Sequence, residues 1–240
     1  MNRFLKVIFP ALLLTFFALG CNNTEEPEDS NESNEQILDG HEYVDLGLPS
    51  GTLWAACNVG ADSPEGIGDY FAWGETAIKD HYDWKSYVYG NSFDGCFEMT
   101  KYCTVPSWGL DGFVDSLTVL ELNDDAARAN WGGGWRMATK EEWEELFQKT
   151  TCVWTTQNGV EGRLMAGTNG NSIFLPVTGF RLDDMFIGPS LGIYWSSSLH
   201  EGFPERGWSF HFDADQCHVC GTYERSRGQI VRAVYIAKQQ

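Results

Sequence analysis

The chain carries little positive charge and has no long apolar run beyond its first 20 residues. Lysine and arginine number 16 against 34 aspartate and glutamate residues, so the formal net charge is −18. A surface of this sign repels phosphate backbones and anionic lipids, which excludes nucleic acid as a partner. A membrane-spanning helix needs about 18 consecutive apolar residues, and no later stretch approaches that length.

The first 21 residues have the pattern of a bacterial lipoprotein signal peptide. Two basic residues precede an apolar run from Val7 to Leu19 that is short for a spanning helix. The block Ala18-Leu19-Gly20-Cys21 resembles a lipobox, in which the bond before the cysteine is cut and the cysteine is lipidated. We predict that residues 1–20 are removed and that Cys21 anchors the protein in the outer membrane, exposed at the cell surface.

An acidic spacer follows the predicted anchor. Residues 22–39 contain seven acidic residues, no basic residue and almost nothing apolar, so they bury too little surface to offset the entropy of ordering. We predict that residues 21–39 form a disordered tether. Glu25 and Glu26, so soon after the cysteine, resemble the acidic export signal of surface lipoproteins in Bacteroidetes; a plain soluble spacer is the alternative.

If Cys21 carries lipid, six cysteines remain and allow 15 pairings. Cys96 and Cys103 bracket one loop and are our first choice for a disulfide, and Cys217 with Cys220 is a candidate hairpin disulfide. Export permits such bridges without requiring them, so free buried thiols are the alternative.

From His41 onward, short apolar runs alternate with turn residues, and two helices are marked. The strand pattern appears at 43–46, 53–57, 70–73, 152–156, 160–166, 173–175, 193–197, 208–212 and 230–236. Asn158-Gly159 predicts a hairpin turn. Thr139 and Glu142 form a capping box before an amphipathic helix, and a shorter helix is predicted over Asp124–Asn130, capped by Asn123. Because the helices do not alternate with strands, we predict an α+β fold with a mainly antiparallel sheet.

Six sequence blocks resemble one family. They are EYVDLGLPSGTLWAACNVGA at 42–61, GDYFAWGET at 68–76, DDAARANWGGGWRMATKEEWEEL at 124–146, NGNSIFLPVTGFR at 169–181, YWSSSL at 194–199 and GQIVRAV at 228–234. In this order they resemble the Fibrobacter succinogenes major paralogous domain. That resemblance implies one C-type-lectin-like domain over 40–236 and a tail at 237–240. It also implies a small twisted antiparallel sheet, two helices, long loops and adjacent terminal strands.

No convincing catalytic or metal-binding set accompanies this fold. The folded part lacks the Glu-Pro-Asn and Trp-Asn-Asp motifs of calcium-dependent lectins, and no G-x-S-x-G surrounds a serine. The one C-x-x-C, from Cys217 to Cys220, has no second pair at zinc-finger spacing. We therefore expect no enzyme activity, no metal and no cofactor.

The late region 199–227 is the predicted ligand surface. The run from Trp208 to Asp213 alternates, which predicts that Trp208, Phe210 and Phe212 face the core while the residues between them face outward. In C-type-lectin-like folds this region contacts ligand. The candidate ligand-binding residues are Ser209, His211, Asp213, Asp215, His218, Tyr223, Glu224 and Arg225; a solvated sheet face without ligand is the alternative.

The sequence thus predicts a surface lipoprotein whose domain binds a glycan or a protein. Three alternatives remain open at this point. The first is a thiol or copper enzyme similar to formylglycine-generating enzymes, using Cys217 and Cys220. The others are a pilus-type structural subunit and the variable target of a diversity-generating retroelement.

Overall fold

The structure is a computed structural model that describes residues 36–93 and 96–236. The predicted signal peptide, Cys21, most of the spacer and the tail therefore lie outside the described residues. The strands within the described part are β1 Ile37–Leu38, β2 His41–Asp45, β3 Thr52–Asn58, β4 Tyr70–Phe71, β5 Gly90–Phe93, β6 Cys96–Met99, β7 Trp135–Met137, β8 Thr151–Gln157, β9 Val160–Ala166, β10 Ser172–Pro176, β11 Phe180–Leu182, β12 Met185–Ile187, β13 Gly192–Leu199, β14 Arg206–Phe212, β15 Cys217–Glu224, β16 Gln229–Ile230 and β17 Arg232–Ile236. The helices are α1 Ala126–Trp131 and α2 Lys140–Lys149, with short 3-10 turns at Pro106–Trp108, Leu110–Gly112 and Leu122–Asp124.

Two five-stranded sheets organise these elements. The first has the order β1-β2-β3-β17-β7 and is antiparallel throughout. The second has the order β15-β14-β13-β16-β4, with one parallel pair between β13 and β16. Only Val231 separates β16 from β17, so the chain passes directly from one sheet to the other. The pairing of β17 with β3 places strands from opposite ends of the described chain side by side.

A three-stranded sheet, β10-β9-β8, and the hairpins β5–β6 and β11–β12 complete the fold. The predicted turn at Asn158-Gly159 is confirmed: both residues have positive φ, and the flanking β8 and β9 pair in register from Thr151 to Ala166. A two-residue turn of this kind matches the twist of its strands, which explains its position.

Helix α2 begins as its sequence predicts. The Thr139 side chain accepts a hydrogen bond from the amide of Glu142, and the Glu142 carboxylate accepts one from the amide of Thr139. Trp143 and Leu146 are fully buried on one side of the helix. The capping box therefore fixes where the helix starts, and its apolar side fixes how the helix lies on the second sheet.

Two predictions about element boundaries need correction, and one strand was missed. Helix α1 is capped by Asp125, whose side chain accepts from the amide of Arg128, and Asn123 does not cap it. The predicted tether extends to Asp39, whereas Ile37 and Leu38 form β1 and pair with β2. Strand β15 was not predicted, because polar residues and Gly221 interrupt its apolar pattern.

The aromatic segment from Phe71 to Trp108 covers one face of the second sheet. The Trp73 indole donates to the carbonyl of Ser196 in β13, at 2.9 Å. A methyl group built on Gly207 of β14 would lie 2.7 Å from the Trp73 ring, so only glycine allows this approach. Because α2 lies against the opposite face, both faces of β14 are covered along much of their length.

The fold is thus mostly β-sheet, with two helices and several antiparallel sheets in the described part. This confirms the coarse prediction of a small α+β domain. Neither helix within residues 36–93 and 96–236 is long and apolar enough to span a bilayer.

Candidate functional site

Three aromatic side chains on one face of β14 are buried to different extents by helix α2. Trp208, Phe210 and Phe212 alternate along the strand and share this face. Trp143 stacks on Phe210 with ring centres 4.7 Å apart, and both Phe210 and Phe212 are fully buried. Trp208 lies opposite Lys140, the first residue of the helix, so no further turn of helix covers it, and it stays half-buried. Trp208 therefore lies on the predicted face, but it is less buried than Phe210 and Phe212.

Two cavities adjoin Trp208 and form what we call the Trp208 groove. A cavity of about 280 Å³ lies along the outer side of α2, and one of about 270 Å³ lies beyond the start of the helix. Trp208 and Lys140 line both. The residues lining the groove are Thr118, Val119, Lys140, Glu141, Glu144, Phe147, Gln148, Ser198, Leu199, His200, Glu201, Gly202, Trp208, Cys217 and His218.

Charged and polar groups surround the indole of Trp208. The ammonium group of Lys140 lies 4.4 Å from the ring centre and 3.2 Å from a carboxylate oxygen of Glu144. The imidazole of His200 stacks on the indole with ring centres 4.8 Å apart. The His200 Nδ1 accepts from the amide of Phe203, so Nε2 carries the proton of the neutral ring and is a donor. The groove therefore combines an aromatic ring with hydrogen-bond donors and acceptors, among them one cation, Lys140, and one anion, Glu144.

Two of the predicted ligand-binding residues are buried and cannot contact a ligand. Ser209 is 1% exposed, and its hydroxyl donates to the side chain of Gln229 at 2.8 Å. Its side chain lies on the sheet face that the aromatic segment covers, and the sequence does not show that cover. Arg225 is fully buried and donates to the Tyr87 hydroxyl and to three backbone carbonyls, those of Lys101, Tyr102 and Pro204.

Three other predicted residues gather on β14 and β15. His211 and His218 are paired across the two strands with ring centres 5.3 Å apart, and Tyr223 meets His211 edge-on. Burial lowers the pKa of His211, and the neighbouring His218 adds to this effect. The His211 Nδ1 is buried without a hydrogen-bond partner among the described residues. His218 also lines the Trp208 groove, so this trio borders the groove without belonging wholly to it.

The remaining predicted acids stabilise local structure. Asp213 accepts from the amides of Asp215 and Gln216, and these bonds hold its pKa below the usual range. Asp215 is exposed in the same turn. Glu224 pairs with Arg227, three residues on, at 3.0 Å.

The predicted disulfide partners lie in different surroundings. Cys96 is exposed on β6, whereas Cys103 is buried and its thiol donates to the carbonyl of Val105; both are free thiols. The sulfur of Cys217 lies 3.4 Å from that of Cys152, a contact that the sequence did not predict. The side chain of Cys220 is outside the described part of the structure.

Lys140, His200 and Trp208 were missed by sequence reasoning. Strand alternation predicts which face of the sheet Trp208 occupies. It does not predict how far along that face helix α2 covers β14, so the partial exposure of Trp208 was not predicted. The capping box was the usable signal, since it places Lys140 at the very start of α2.

A larger cavity, of about 590 Å³, adjoins the β5–β6 hairpin. Phe97 stacks between Trp84 and Trp108, at 4.2 Å and 6.0 Å between ring centres, and Phe93 at the hairpin end is 79% exposed. This surface offers few polar groups, chiefly those of Glu98 and Ser107. It suits an apolar partner better than a polar ligand.

Within the described residues, no group of three or more histidine, cysteine, aspartate or glutamate side chains is arranged to hold a metal ion. Compared with protein-family models, curated proteins and solved structures, the chain shows no significant match.

Proposed function

We propose that this chain is a lipid-anchored outer-membrane lipoprotein that displays a non-catalytic, C-type-lectin-like domain, and that the Trp208 groove binds a carbohydrate. Anchoring rests on the lipobox-like block before Cys21 and on the acidic spacer behind it. The two helices and the pairing of β3 with β17 support the C-type-lectin-like fold.

The half-buried Trp208, between two cavities and among polar side chains, carries the carbohydrate proposal. A sugar ring presents a face of C–H groups and a rim of hydroxyl groups, so it requires an aromatic surface beside hydrogen-bond donors and acceptors. Lys140 and His200 contact the Trp208 ring, and the part of the indole that lines the two cavities supplies the aromatic contact. Lys140 with Glu144 supplies a donor and an acceptor. The two cavities suit a short linear ligand that places one unit on each side of the tryptophan.

The position of Lys140 also favours a binding role. A cation in the first turn of a helix opposes the helix dipole and destabilises it by about 0.3–1 kcal/mol. Lys140 occupies the first position of α2, and its ammonium group lies over Trp208. Residues that work against stability at one place are typical of binding sites.

A glycan array probed with the full-length protein in detergent tests the proposal. We expect binding to at least one carbohydrate, weakened about tenfold or more by Trp208→Ala. Phe93→Ala is the matched control, because Phe93 is an exposed aromatic residue that does not line the groove, and it should leave carbohydrate binding unchanged.

The hairpin surface favours a second candidate function, which is binding of a protein partner. Val88 and Phe93 are 62% and 79% exposed, more than most apolar side chains of this domain. If no carbohydrate binds and a protein partner is lost on Phe93→Ala but kept on Trp208→Ala, the carbohydrate proposal is wrong and this second function replaces it.

A further inference from the structure

Two cysteines from different sheets meet side by side. Cys152 is the second residue of β8 and pairs with Met165, whereas Cys217 is the first residue of β15 and pairs with Phe212. Their sulfurs are 3.4 Å apart, although 65 residues separate them in sequence. A disulfide bond is about 2 Å long, so a movement of little more than 1 Å joins them.

Packing on both sides holds the two thiols in place. Both cysteines contact the same apolar core, which includes Trp143 and Phe212. The guanidinium group of Arg163 on β9 donates to the carbonyls of Asp213, Ala214 and Gln216. Because these hydrogen bonds hold the turn before β15 against β9, the two sulfurs are already in contact in the folded protein.

The pair also differs in reactivity from Cys57 and Cys103. The hydrogen bond between the Cys152 and Cys217 thiols, with the Arg163 charge nearby, lowers the pKa of Cys152. Burial raises the pKa of Cys57 and of Cys103. The thiolate is the form that attacks a disulfide, so Cys152 is the nucleophile of the pair.

We propose that Cys152 and Cys217 form an oxidative cross-link site that joins the β8–β9–β10 sheet to the β14–β15 hairpin. The inference rests on the proposed export of the chain, since an oxidising compartment supplies the oxidant, a disulfide of a thiol oxidoreductase. The Cys152 thiolate attacks that disulfide and releases one thiolate of the oxidant. Cys217, after losing its proton to water, attacks the Cys152 sulfur and releases the second thiolate. Two protons leave the protein, and two electrons reduce the oxidant to its dithiol.

The cross-link acts on the wall of the Trp208 groove. Cys217 lines the groove beside His218 at the start of β15. Oxidation therefore adds a covalent link from this wall to a separate sheet. After reduction, the wall keeps its pairing with β14, and packing and Arg163 remain as its contacts with the β8–β9–β10 sheet.

Peptide mapping of the wild-type, full-length protein tests this inference. After oxidation with glutathione disulfide and blocking of free thiols, we expect one peptide pair that joins Cys152 to Cys217, with the buried Cys103 alkylated only after unfolding. Reduction should lower the Tm by about 10 °C, because the bridge closes a long loop. Cys152→Ser should remove the Tm shift, whereas the control Cys57→Ser should keep it.

Alkylation of both Cys152 and Cys217 in the folded, oxidised protein would overturn the inference, as would a bridge from Cys217 to Cys220. Mapping needs no variant, so a misfolded mutant cannot obscure the result. The outcome is also independent of glycan binding, so the cross-link and the carbohydrate proposal fail separately.

Discussion

The ammonium group of Lys140 lies 4.4 Å from the centre of the Trp208 indole ring. Lys140 is the first residue of α2, so the part of β14 beyond Trp208 is not covered by this helix. This contact joins the first residue of a helix to Trp208, the aromatic side chain of that strand face which is only partly buried. It therefore defines both the edge of the core and the centre of the groove.

Replacing Lys140 by methionine tests the strength of this contact. A cation over an indole stabilises a folded protein by about 0.5–1 kcal/mol at an exposed site. Lys140→Met also relieves the unfavourable helix-dipole interaction, which is the same with or without Trp208. Lys140→Met should therefore lower the free energy of unfolding by about 0.5–1 kcal/mol more in wild type than in a Trp208→Leu background. Urea denaturation of the four proteins of this double-mutant cycle measures the difference, and Lys85→Met, at an exposed lysine, is the control. Equal effects in both backgrounds would show that the contact contributes nothing.

The capping box is expected to support both the helix and the groove. Thr139→Ala removes the acceptor for the amide of Glu142 and should lower the free energy of unfolding by about 1 kcal/mol. Thr168→Ala, at an exposed turn position, should change it by less than half as much. Because Lys140 follows the cap directly, we also expect weaker carbohydrate binding by Thr139→Ala. Undiminished stability would contradict the role of the cap.

Arg225 is expected to be a core residue whose loss unfolds much of the aromatic segment. Arg225→Met leaves two buried carbonyls, the partly buried carbonyl of Lys101 and the Tyr87 hydroxyl without their donor, so the free energy of unfolding should fall by about 3–5 kcal/mol. Arg206→Met, at an ion pair with a 39% exposed arginine, should cost about 1 kcal/mol or less. Chemical denaturation measures both. A stable Arg225→Met protein that lost only ligand binding would restore Arg225 as a ligand contact.

Two histidines should give opposite dependences of stability on pH. Burial lowers the pKa of His211, so its unfolded form, with a pKa of about 6.5, binds protons more readily than the folded one. Its contribution to stability is complete above that value and is lost as the pH falls through the lowered folded value.

The pKa of His81 is raised by its hydrogen bond to Asp183, so its contribution is complete below about pH 6.5 and is lost as the pH rises through the raised value. Denaturation midpoints from pH 5 to 8 should therefore fall less steeply toward acid in His211→Gln than in wild type. His81→Gln should remove a loss on the alkaline side. A shift of the same sign in both variants would refute this assignment.

Short-range patterns were sufficient for much of the fold. The capping box of α2 and the Asn158-Gly159 turn depend on residues within four positions of each other, so their sequences decide them. The apolar run at 160–166 became β9 without change. The hairpin β5–β6 and strand β15 escaped prediction because their residues are polar or mixed, and their pairing comes from the neighbouring strand.

The site was predictable only in part. The late region does supply Trp208, Cys217 and His218 to the groove, yet Lys140 comes from a helix some 70 residues earlier in the chain. Ser209 and Arg225 were misassigned because both are buried by residues remote in sequence: Ser209 bonds to Gln229, and Arg225 to Tyr87 and Tyr102 of the distant aromatic segment. The contact of Cys152 with Cys217 likewise could not be predicted, because β8 and β15 belong to different sheets.

The sequence by itself determined the acidic surface, the two helices, most strands and the expectation of a lipid anchor at Cys21, because each depends on composition or on neighbours along the chain. Only the tertiary structure decided that Trp208 lines a groove, that Arg225 lies in the core and that Cys152 meets Cys217. These outcomes depend on how far one element covers another, and that distance is set by the packing of segments that are remote in sequence.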